Sequence, residues 1–103
     1  MKSPRIVSAQ AIDDLTLIVK FTNNELREYD ISKLLDKPMF SLLKNPAFFR
    51  NFIIESGGYG LVWNDKTDIS EYELWQNGVS ITNYDDNRHQ HQSEVSNILT
   101  DLI

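Results

Sequence analysis

LTLIVKFTNNELREYDI, residues 15–31, is the stretch that decides the fold of this chain. Apolar residues recur at every second position of its first half, which predicts a strand with one buried face, formed by Leu15, Leu17, Val19 and Phe21. Asn23-Asn24 follows as a turn, since asparagine tolerates positive φ better than other non-glycine residues. Residues 26–31 then return as the partner strand of a β-hairpin.

The length of the loop sets the register of this hairpin. A bulged, three-residue loop places Lys20 opposite Glu28 and Val19 opposite Tyr29, which pairs opposite charges. A two-residue loop sets Lys20 against Arg27, and like charges directly across a ladder are unfavourable. We therefore predict the three-residue loop.

Further strands lie on both sides of this hairpin. Residues 5–12 predict a preceding strand that ends at Asp13-Asp14. Residues 52–55 and 60–63 predict a second hairpin, joined by Ser56-Gly57-Gly58-Tyr59. Asn64-Asp65-Lys66 turns the chain again, and Val79-Ser80-Ile81 is a last short strand.

Between the two hairpins the sequence predicts short helices. Asp30 or Ser32 is placed to cap one that runs through Leu34 and Leu35. Pro38 suits the first position of another, which ends at Asn45-Pro46. We expect the aromatic group that follows to cover the sheet: Phe48, Phe49 and Phe52.

A capping box predicts one more helix over residues 71–76. Ser70 stands at the N-cap with Glu73 three residues on, and Ile69 and Leu74 complete a hydrophobic staple. Gly78 stands where the end of a helix favours a left-handed residue.

The last part of the chain differs in character. Residues 83–92 are polar and predict a linker, whereas residues 93–103 place Val95, Ile98, Leu99, Leu102 and Ile103 on one helical face. An eleven-residue helix is marginal alone in water, so it needs a surface to dock against. That surface is either a partner's groove or the protein's own sheet. The sequence thus predicts an α+β domain over residues 1–82, with a small antiparallel sheet built from hairpins and covered by short helices. Residues 83–103 are predicted as the polar linker and a short C-terminal amphipathic helix.

Composition narrows the class of protein. The 103 residues contain no cysteine, which excludes disulfides, thiolate metal sites and cysteine nucleophiles. No segment predicts a signal peptide or a membrane span, so we expect a cytoplasmic protein. The net charge is −5, and residues 51–103 carry nine acidic side chains against two basic ones. Such a balance disfavours nucleic acid and favours basic protein partners.

Candidate chemical sites have simple structural explanations. The carboxylates of Asp65, Asp68, Glu71 and Glu73 fit turn and capping positions, and His89 and His91 lie in the polar linker. Gly57-Gly58-Tyr59-Gly60 leads into a strand rather than a helix, unlike a phosphate-binding loop. We therefore predict no catalytic residues, no metal site and no cofactor. The basic residues of the 33–50 stretch are typical of a solvated helix face: Lys33, Lys37, Lys44 and Arg50.

Several residues together resemble a known family. The hairpin residues Leu17, Val19 and Phe21, and Glu25 through Ile31, are followed by Trp63, Asp65, Asp68-Ile69, Leu74-Trp75 and Gly78. This order, over about residues 4–81, resembles the bacterial family of domain of unknown function 2442 (DUF2442). Asn24 and Trp75 depart from it, at positions where glycine and tyrosine are usual.

The resemblance implies a small α+β domain with no known activity. Relatives occur alone, beside another small protein in apparent two-gene units, or fused ahead of a helix-turn-helix, which implies a regulatory or antitoxin-like accessory domain. Residues after 83 lie outside the shared region and are too few for a helix-turn-helix.

Two functional hypotheses follow. The first is a non-enzymatic protein-interaction module, for example the neutralising partner of a small, basic protein or a self-associating chain. Its predicted interaction surface is drawn from Val95, Ile98, Leu99, Leu102, Trp63, Asp68 and Trp75. The alternative is a dimeric, nucleic-acid-associated regulator that acts through the basic 33–50 stretch. An enzyme with a cleft near Trp63 and Asp68 is a third hypothesis.

Overall fold

The computed structural model describes residues 3–81, which form an α+β fold of antiparallel sheets and short helices. The predicted hairpins are arranged in two sheets rather than one, of strand order β1-β2-β3-β7 and β4-β5-β6. The predicted linker and C-terminal helix lie outside the described residues. The strands are β1 Ile6–Ala11, β2 Thr16–Phe21, β3 Leu26–Asp30, β4 Ile53–Ile54, β5 Gly60–Asn64, β6 Thr67–Ser70 and β7 Val79–Ile81. The helical segments are two 3₁₀ helices, Ser32–Leu34 and Pro38–Lys44, and two α-helices, α1 Pro46–Phe49 and α2 Glu71–Asn77.

The β2-β3 hairpin has the predicted three-residue loop but not the predicted register. The Phe21 N–H donates to the Glu25 carbonyl at 2.9 Å, which leaves residues 22–24 as the loop, with Asn24 at φ 71°. Lys20 consequently faces Leu26 rather than Glu28, and Val19 is opposite Arg27. The difference is two residues along the partner strand, so each side chain keeps its predicted face.

The first sheet packs one face against the core. Leu17, Val19 and Phe21 are fully buried there, as the alternating pattern predicts. Leu15 is 40% exposed because the strand begins only at Thr16. The same core contains aromatic and aliphatic residues from β3 and the residue after it, from the helical segments and from the second sheet. Among them are Tyr29, Ile31, Phe40, Leu43, Phe49, Leu61, Trp63, Ile69 and Leu74.

Side-chain hydrogen bonds fix the turn-rich region between the two sheets. Pro38 begins a helix as predicted, although of 3₁₀ type. The Asn45 carboxamide oxygen accepts from the N–H groups of Ala47 and Phe48 and so begins α1. The Thr67 hydroxyl donates to the Met39 carbonyl at 3.0 Å, which ties the region to the second sheet.

The second sheet contains the predicted β4-β5 hairpin and a strand, β6, that the sequence analysis did not predict. Its turn also joins the two sheets, since the Ile6 N–H donates to the Gly58 carbonyl at 2.9 Å. A side chain at Gly58 would meet the Ile6 carbonyl oxygen at 2.5 Å, so only glycine fits this junction. The glycine loop is therefore a structural turn.

Helix α2 follows the prediction at its start and departs from it at its end. The Ser70 hydroxyl accepts from the Glu73 N–H at 3.1 Å. The Glu73 carboxylate does not return to Ser70, because it accepts from Tyr29 and Asn77 instead. Gly78 is extended, with φ −75°, rather than left-handed, and its missing side chain leaves room for Leu74 and Arg27.

Strand β7 closes the fold by pairing with β3, with Glu28 opposite Val79 and Leu26 opposite Ile81. The last described strand therefore lies at an edge of the first sheet. Within residues 3–81, no helix has the length and apolar character needed to cross a membrane.

Candidate interaction surface

The first sheet has a second face, which we call the outer face, on the side opposite the core. Its residues follow from the strand registers, because side chains alternate between the two faces of a sheet. They are Ser8 and Gln10 of β1, Thr16, Ile18 and Lys20 of β2, Leu26, Glu28 and Asp30 of β3, and Val79 and Ile81 of β7.

The centre of the outer face is apolar. Ile18 is only 7% exposed, and the half-buried side chains of Ile12, Leu26 and Ile81 pack against it. Val79 lies beside them on β7 and is 68% exposed. We call these five residues the apolar patch. No residue from the described helices or from the second sheet belongs to this cluster.

One polar atom beside the patch has no hydrogen-bond partner among the described residues. Gln10 lies opposite Ile18 in the β1-β2 ladder and shares its face. Its side-chain carbonyl oxygen, Oε1, is inaccessible to solvent and accepts no hydrogen bond from residues 3–81. A buried carbonyl oxygen without a donor costs about 1–3 kcal/mol, so the burial of Gln10 on this face is locally destabilising.

A charged rim lies at one end of the outer face. A depression of about 350 Å³ there is lined by Glu28, Asp30, Ser32, Lys33, Asn77 and Val79. The Asp30 carboxylate accepts from the Ser32 hydroxyl at 2.6 Å and from the Ser32 N–H at 2.8 Å. These bonds, helped by the charge of Lys33, hold the pKa of Asp30 below its ordinary value. The Asp30 carboxylate therefore stays ionised at neutral pH, and the rim combines two carboxylates, Glu28 and Asp30, with one lysine, Lys33.

On the core side, a hydrogen bond attaches α2 to the sheet. The Tyr29 hydroxyl donates to the Glu73 carboxylate at 2.6 Å, and the Asn77 amide donates to the same carboxylate at 2.9 Å. Burial, and then the bond to Glu73, raise the pKa of Tyr29 well above its ordinary value. Glu73 is therefore part of the framework of the fold.

Two further acidic residues named by the sequence analysis lie on β6 and at the start of α2. Asp68 is exposed on β6, and Glu71 stands in the first turn of α2. In the part of the chain that the structure describes, no group of three or more His, Asp or Glu side chains is placed to hold a metal ion. His89 and His91 lie outside that part.

The residues predicted as an interaction surface are not brought together. Trp63 is 9% exposed, and its indole N–H donates to the Phe49 carbonyl at 2.7 Å. Asp68 points to the opposite side of the β5-β6 ladder, where it faces Val62. Trp75 lies on α2, with the Arg27 guanidinium 3.7 Å from its ring centroid.

Both tryptophans pack against phenylalanine rings of the fold, and Trp63 and Asp68 lie on opposite faces of the β5-β6 ladder. The other predicted surface residues, Val95, Ile98, Leu99 and Leu102, lie outside the described residues.

The basic 33–50 stretch is partly neutralised by acidic neighbours. Arg50 forms a salt bridge with Asp14 at 2.8 Å, and Lys33 lies beside Asp30 and 5.5 Å from the Tyr29 ring centroid. Two of its four cations thus have acidic neighbours, and the nucleic-acid hypothesis stays a prediction.

Sequence analysis missed the apolar patch, although one signal for it is present. Ile18 interrupts the alternation of β2, because it is apolar at a position where a solvent-facing strand surface has a polar residue. Leu26 and Ile81 lie 55 residues apart in the chain, and only the β3-β7 pairing brings them to the same face.

Comparison with known proteins identifies the family and goes no further. Residues 6–80 match the family model described as protein of unknown function (DUF2442), and the chain belongs to this family. No curated protein and no solved structure gives a significant match.

Proposed function

We propose that this member of the DUF2442 family is a non-enzymatic protein-interaction module that binds a small, basic partner protein through its outer face. The observation that carries the proposal is the apolar patch, which lies at the centre of a sheet face and receives no apolar cover from another described element. Grouped apolar side chains with a polar rim are typical of protein–protein contacts.

The two parts of the surface have different roles in this proposal. The apolar patch supplies affinity, since each square ångström of apolar surface removed from water contributes about 25 cal/mol. The carboxylates of Glu28 and Asp30 at the rim select for basic partners and accelerate association with them. The partner contacts both parts, because the patch alone is smaller than the roughly 800 Å² that each protein buries in a stable complex.

The finer proposal is an antitoxin-like role in the cytoplasm, in which binding neutralises the partner. The acidic excess continues in the described second half of the chain, where Glu55, Asp65, Asp68, Glu71 and Glu73 stand against Lys66. Relatives encoded beside a second small protein, as the family resemblance implies, provide a natural candidate partner.

Affinity purification of the tagged full chain from its native host tests this proposal. We compare the wild-type protein with the patch variant Val79→Lys/Ile81→Lys and with the matched control Met39→Lys/Leu42→Lys. Met39 and Leu42 are 48% and 52% exposed and lie on the second 3₁₀ helix, so the control makes the same change of charge at exposed apolar residues outside the patch.

A small basic protein should copurify with the wild-type chain and with the control at equal stoichiometry. Calorimetry with the purified partner should then show at least about tenfold weaker binding to the patch variant, equivalent to about 1.4 kcal/mol. Equal affinity for both variants would assign the partner to another surface. Recovery of the tagged chain alone would remove the proposal.

A further inference from the structure

We infer that the edge strand β1 is the place where two copies of this chain pair, antiparallel and about a two-fold axis at Gln10. The four-stranded first sheets of the two copies then form one continuous sheet of eight strands. This interface lies at the free edge of the sheet rather than on its outer face, so the inference goes beyond the proposed function and does not depend on it.

The backbone of β1 has unpaired groups along its outer edge. The Ile12 N–H donates to the Thr16 carbonyl at 3.0 Å, so the backbone of residue 12 points towards β2. Backbone groups alternate in direction along an antiparallel ladder, so the N–H and C=O groups of Ala9 and Ala11 point away from β2. Within residues 3–81, no hydrogen bond reaches these four groups. They are the donors and acceptors that an added strand requires.

The open part of this edge has two defined ends. At its start, the Ile6 N–H donates to the Gly58 carbonyl at 2.9 Å, so the turn of the second sheet closes the edge there. At its end, the chain turns back towards β2 after Ala11. Val7, between these ends, is 54% exposed. An added strand therefore fits alongside residues 7–11.

Of the edge strands in the two described sheets, β1 is the one best suited to pair with another strand. It has six residues, whereas β4, β6 and β7 have two, four and three. No residue from Ile6 to Ile12 is charged, and none is proline. Proteins commonly use charges and prolines to keep an edge from pairing, so β1 is an unprotected edge.

The charges on either side of β1 favour a second copy as the added strand. Arg5 stands before the strand, and Asp13 and Asp14 stand after it. Antiparallel pairing of two copies brings Arg5 of each copy close to the two aspartates of the other, whereas parallel pairing brings like charges together. Arg5 contacts the Tyr59 ring at 3.8 Å and forms no salt bridge within residues 3–81, so its charge can pair with an acidic group of the second copy.

The open backbone groups also define the register. With Gln10 on the two-fold axis, Ala9 of each copy is opposite Ala11 of the other, and the two pairs form four backbone hydrogen bonds. The residue that faces its own copy is then the uncharged Gln10, so no like charges meet at the axis. The side chains of Ala9 and Ala11 pack against the core, so they do not project into the space of the added strand.

Pairing places the two outer faces side by side. Ile18 lies opposite Gln10 on β2, so the two copies of Ile18 are separated by three strand spacings, about 14–15 Å. The dimer thus presents two apolar patches on one side of a single sheet. This consequence, unlike the interface itself, bears on the proposed function, because one partner can then contact both patches.

Sedimentation equilibrium of the purified full chain tests the inference. An interface of this small size is expected to be weak, so the measurement extends from about 10 µM to about 1 mM protein. We expect an equilibrium between monomer and dimer over this range.

Charge variants show whether the two copies are antiparallel. Arg5→Glu and Asp13→Lys/Asp14→Lys should each dimerise at least about tenfold more weakly, because like charges then meet at both ends of the strand. Their equimolar mixture should recover the wild-type affinity, since both ends of the mixed dimer again pair opposite charges. Lys37→Glu, which makes the same change of charge at an exposed residue outside β1, is the control and should dimerise like the wild type.

Proline variants test the backbone hydrogen bonds between the copies. Ala9→Pro removes an N–H that points out of the sheet and takes no part in the ladder with β2, so the fold should remain. The two-fold axis doubles the loss, so the dimer should weaken at least about tenfold. Ser80→Pro, in the other edge strand β7, is the matched control and should leave the dimer unchanged. Circular dichroism checks that each variant is folded.

Three results would overturn the inference. A monomer at every concentration would show that the edge of β1 does not pair. A dimer whose affinity is unchanged by Ala9→Pro would have its interface at another surface, and a mixture of folded charge variants that does not recover would exclude the antiparallel arrangement. None of these results affects the proposed function, which depends on the loss of a partner in the Val79→Lys/Ile81→Lys variant.

Discussion

The two faces of the first sheet use the same strands for different purposes. On the core face, Leu17, Val19 and Phe21 are fully buried beneath residues from both sheets and the helical segments. On the outer face, the residues of 3–81 that pack against Ile18 are themselves only half-buried, and Val79 beside it is 68% exposed. Within the described residues, one face forms the core of the fold, and the other carries a smaller apolar cluster.

Tyr29 and Asp30, which are neighbours on β3, show the same contrast between the two faces in the directions of their pKa shifts. Tyr29 points to the core, where burial and the Glu73 carboxylate raise its pKa. Asp30 points to the rim of the outer face, where the hydroxyl and N–H of Ser32 lower its pKa. Adjacent positions of one strand thus contribute to stability over opposite ranges of pH, and the core position has the larger effect because it is removed from water.

A matched pair of substitutions measures the contrast between the faces. Leu17→Ala should lower the free energy of unfolding by about 2–5 kcal/mol, because it removes a fully buried side chain from a packed core. Leu26→Ala removes the same atoms from the half-buried outer face and should cost only about 0.5–1.5 kcal/mol. Urea denaturation of the full chain at neutral pH measures both values.

The ratio of these two costs measures how much less the outer face is buried than the core face. A cost for Leu26→Ala equal to that for Leu17→Ala would mean that the two faces are buried to the same extent, which contradicts the proposed contrast. A smaller cost for Leu17→Ala than for Leu26→Ala would mean that the tightly packed core lies against the outer face, which is the reverse of the arrangement described.

The core-side hydrogen bond is tested by Tyr29→Phe. The substitution removes a donor to a carboxylate at 2.6 Å and should cost about 1.5–3 kcal/mol at neutral pH. Because the pKa of Tyr29 is raised on folding, its contribution is complete below the ordinary tyrosine pKa of about 10 and is lost as the pH rises towards the higher pKa of the folded state. The difference between wild type and variant should therefore shrink above pH 10.

Denaturation curves at pH 7, 9 and 11 follow this difference directly. Tyr72→Phe is the control, because Tyr72 is 60% exposed and its loss should change stability by less than about 0.5 kcal/mol. A difference for Tyr29→Phe that grows at high pH would have the wrong sign and would contradict the assigned role of the Glu73 bond.

Local patterns predicted most of the elements of this fold. The apolar residues at every second position of residues 15–21 predicted β2, and the spacing from Ser70 to Glu73 predicted the start of α2. The register of the β2-β3 hairpin was wrong because charge pairing was weighed above turn geometry, whereas the positive φ of Asn24 closes the loop on Phe21 and Glu25. Strand β6 was missed because four residues are too few for an alternating pattern to stand out.

Local sequence patterns could not predict the contacts between residues that lie far apart in the chain. The Glu73 carboxylate is bound by Tyr29, 44 residues away, and this bond replaces the reciprocal half of the capping box. The apolar patch likewise depends on the pairing of β3 with β7. The packing of Trp75 against Phe21 and of Trp63 against Phe49 is a third case, since neither contact could be predicted from the local sequence.

The smallest expected effect concerns Asp30, the outer-face neighbour of Tyr29. Folding lowers its pKa, so its contribution is present above the unfolded-state pKa of about 3.9 and is lost as the pH falls through the lower pKa of the folded state. Asp30→Asn keeps an oxygen that can accept from Ser32 and removes only the charge, so the cost at pH 7 should stay below about 1 kcal/mol at this exposed site. Denaturation at pH 7 and pH 2 should show a difference that vanishes in acid, with Asp36→Asn, at another exposed carboxylate, as the control for charge removal. A cost for Asp30→Asn above that for Tyr29→Phe would reverse the order of the two faces, because the rim would then contribute more to stability than the core-side bond.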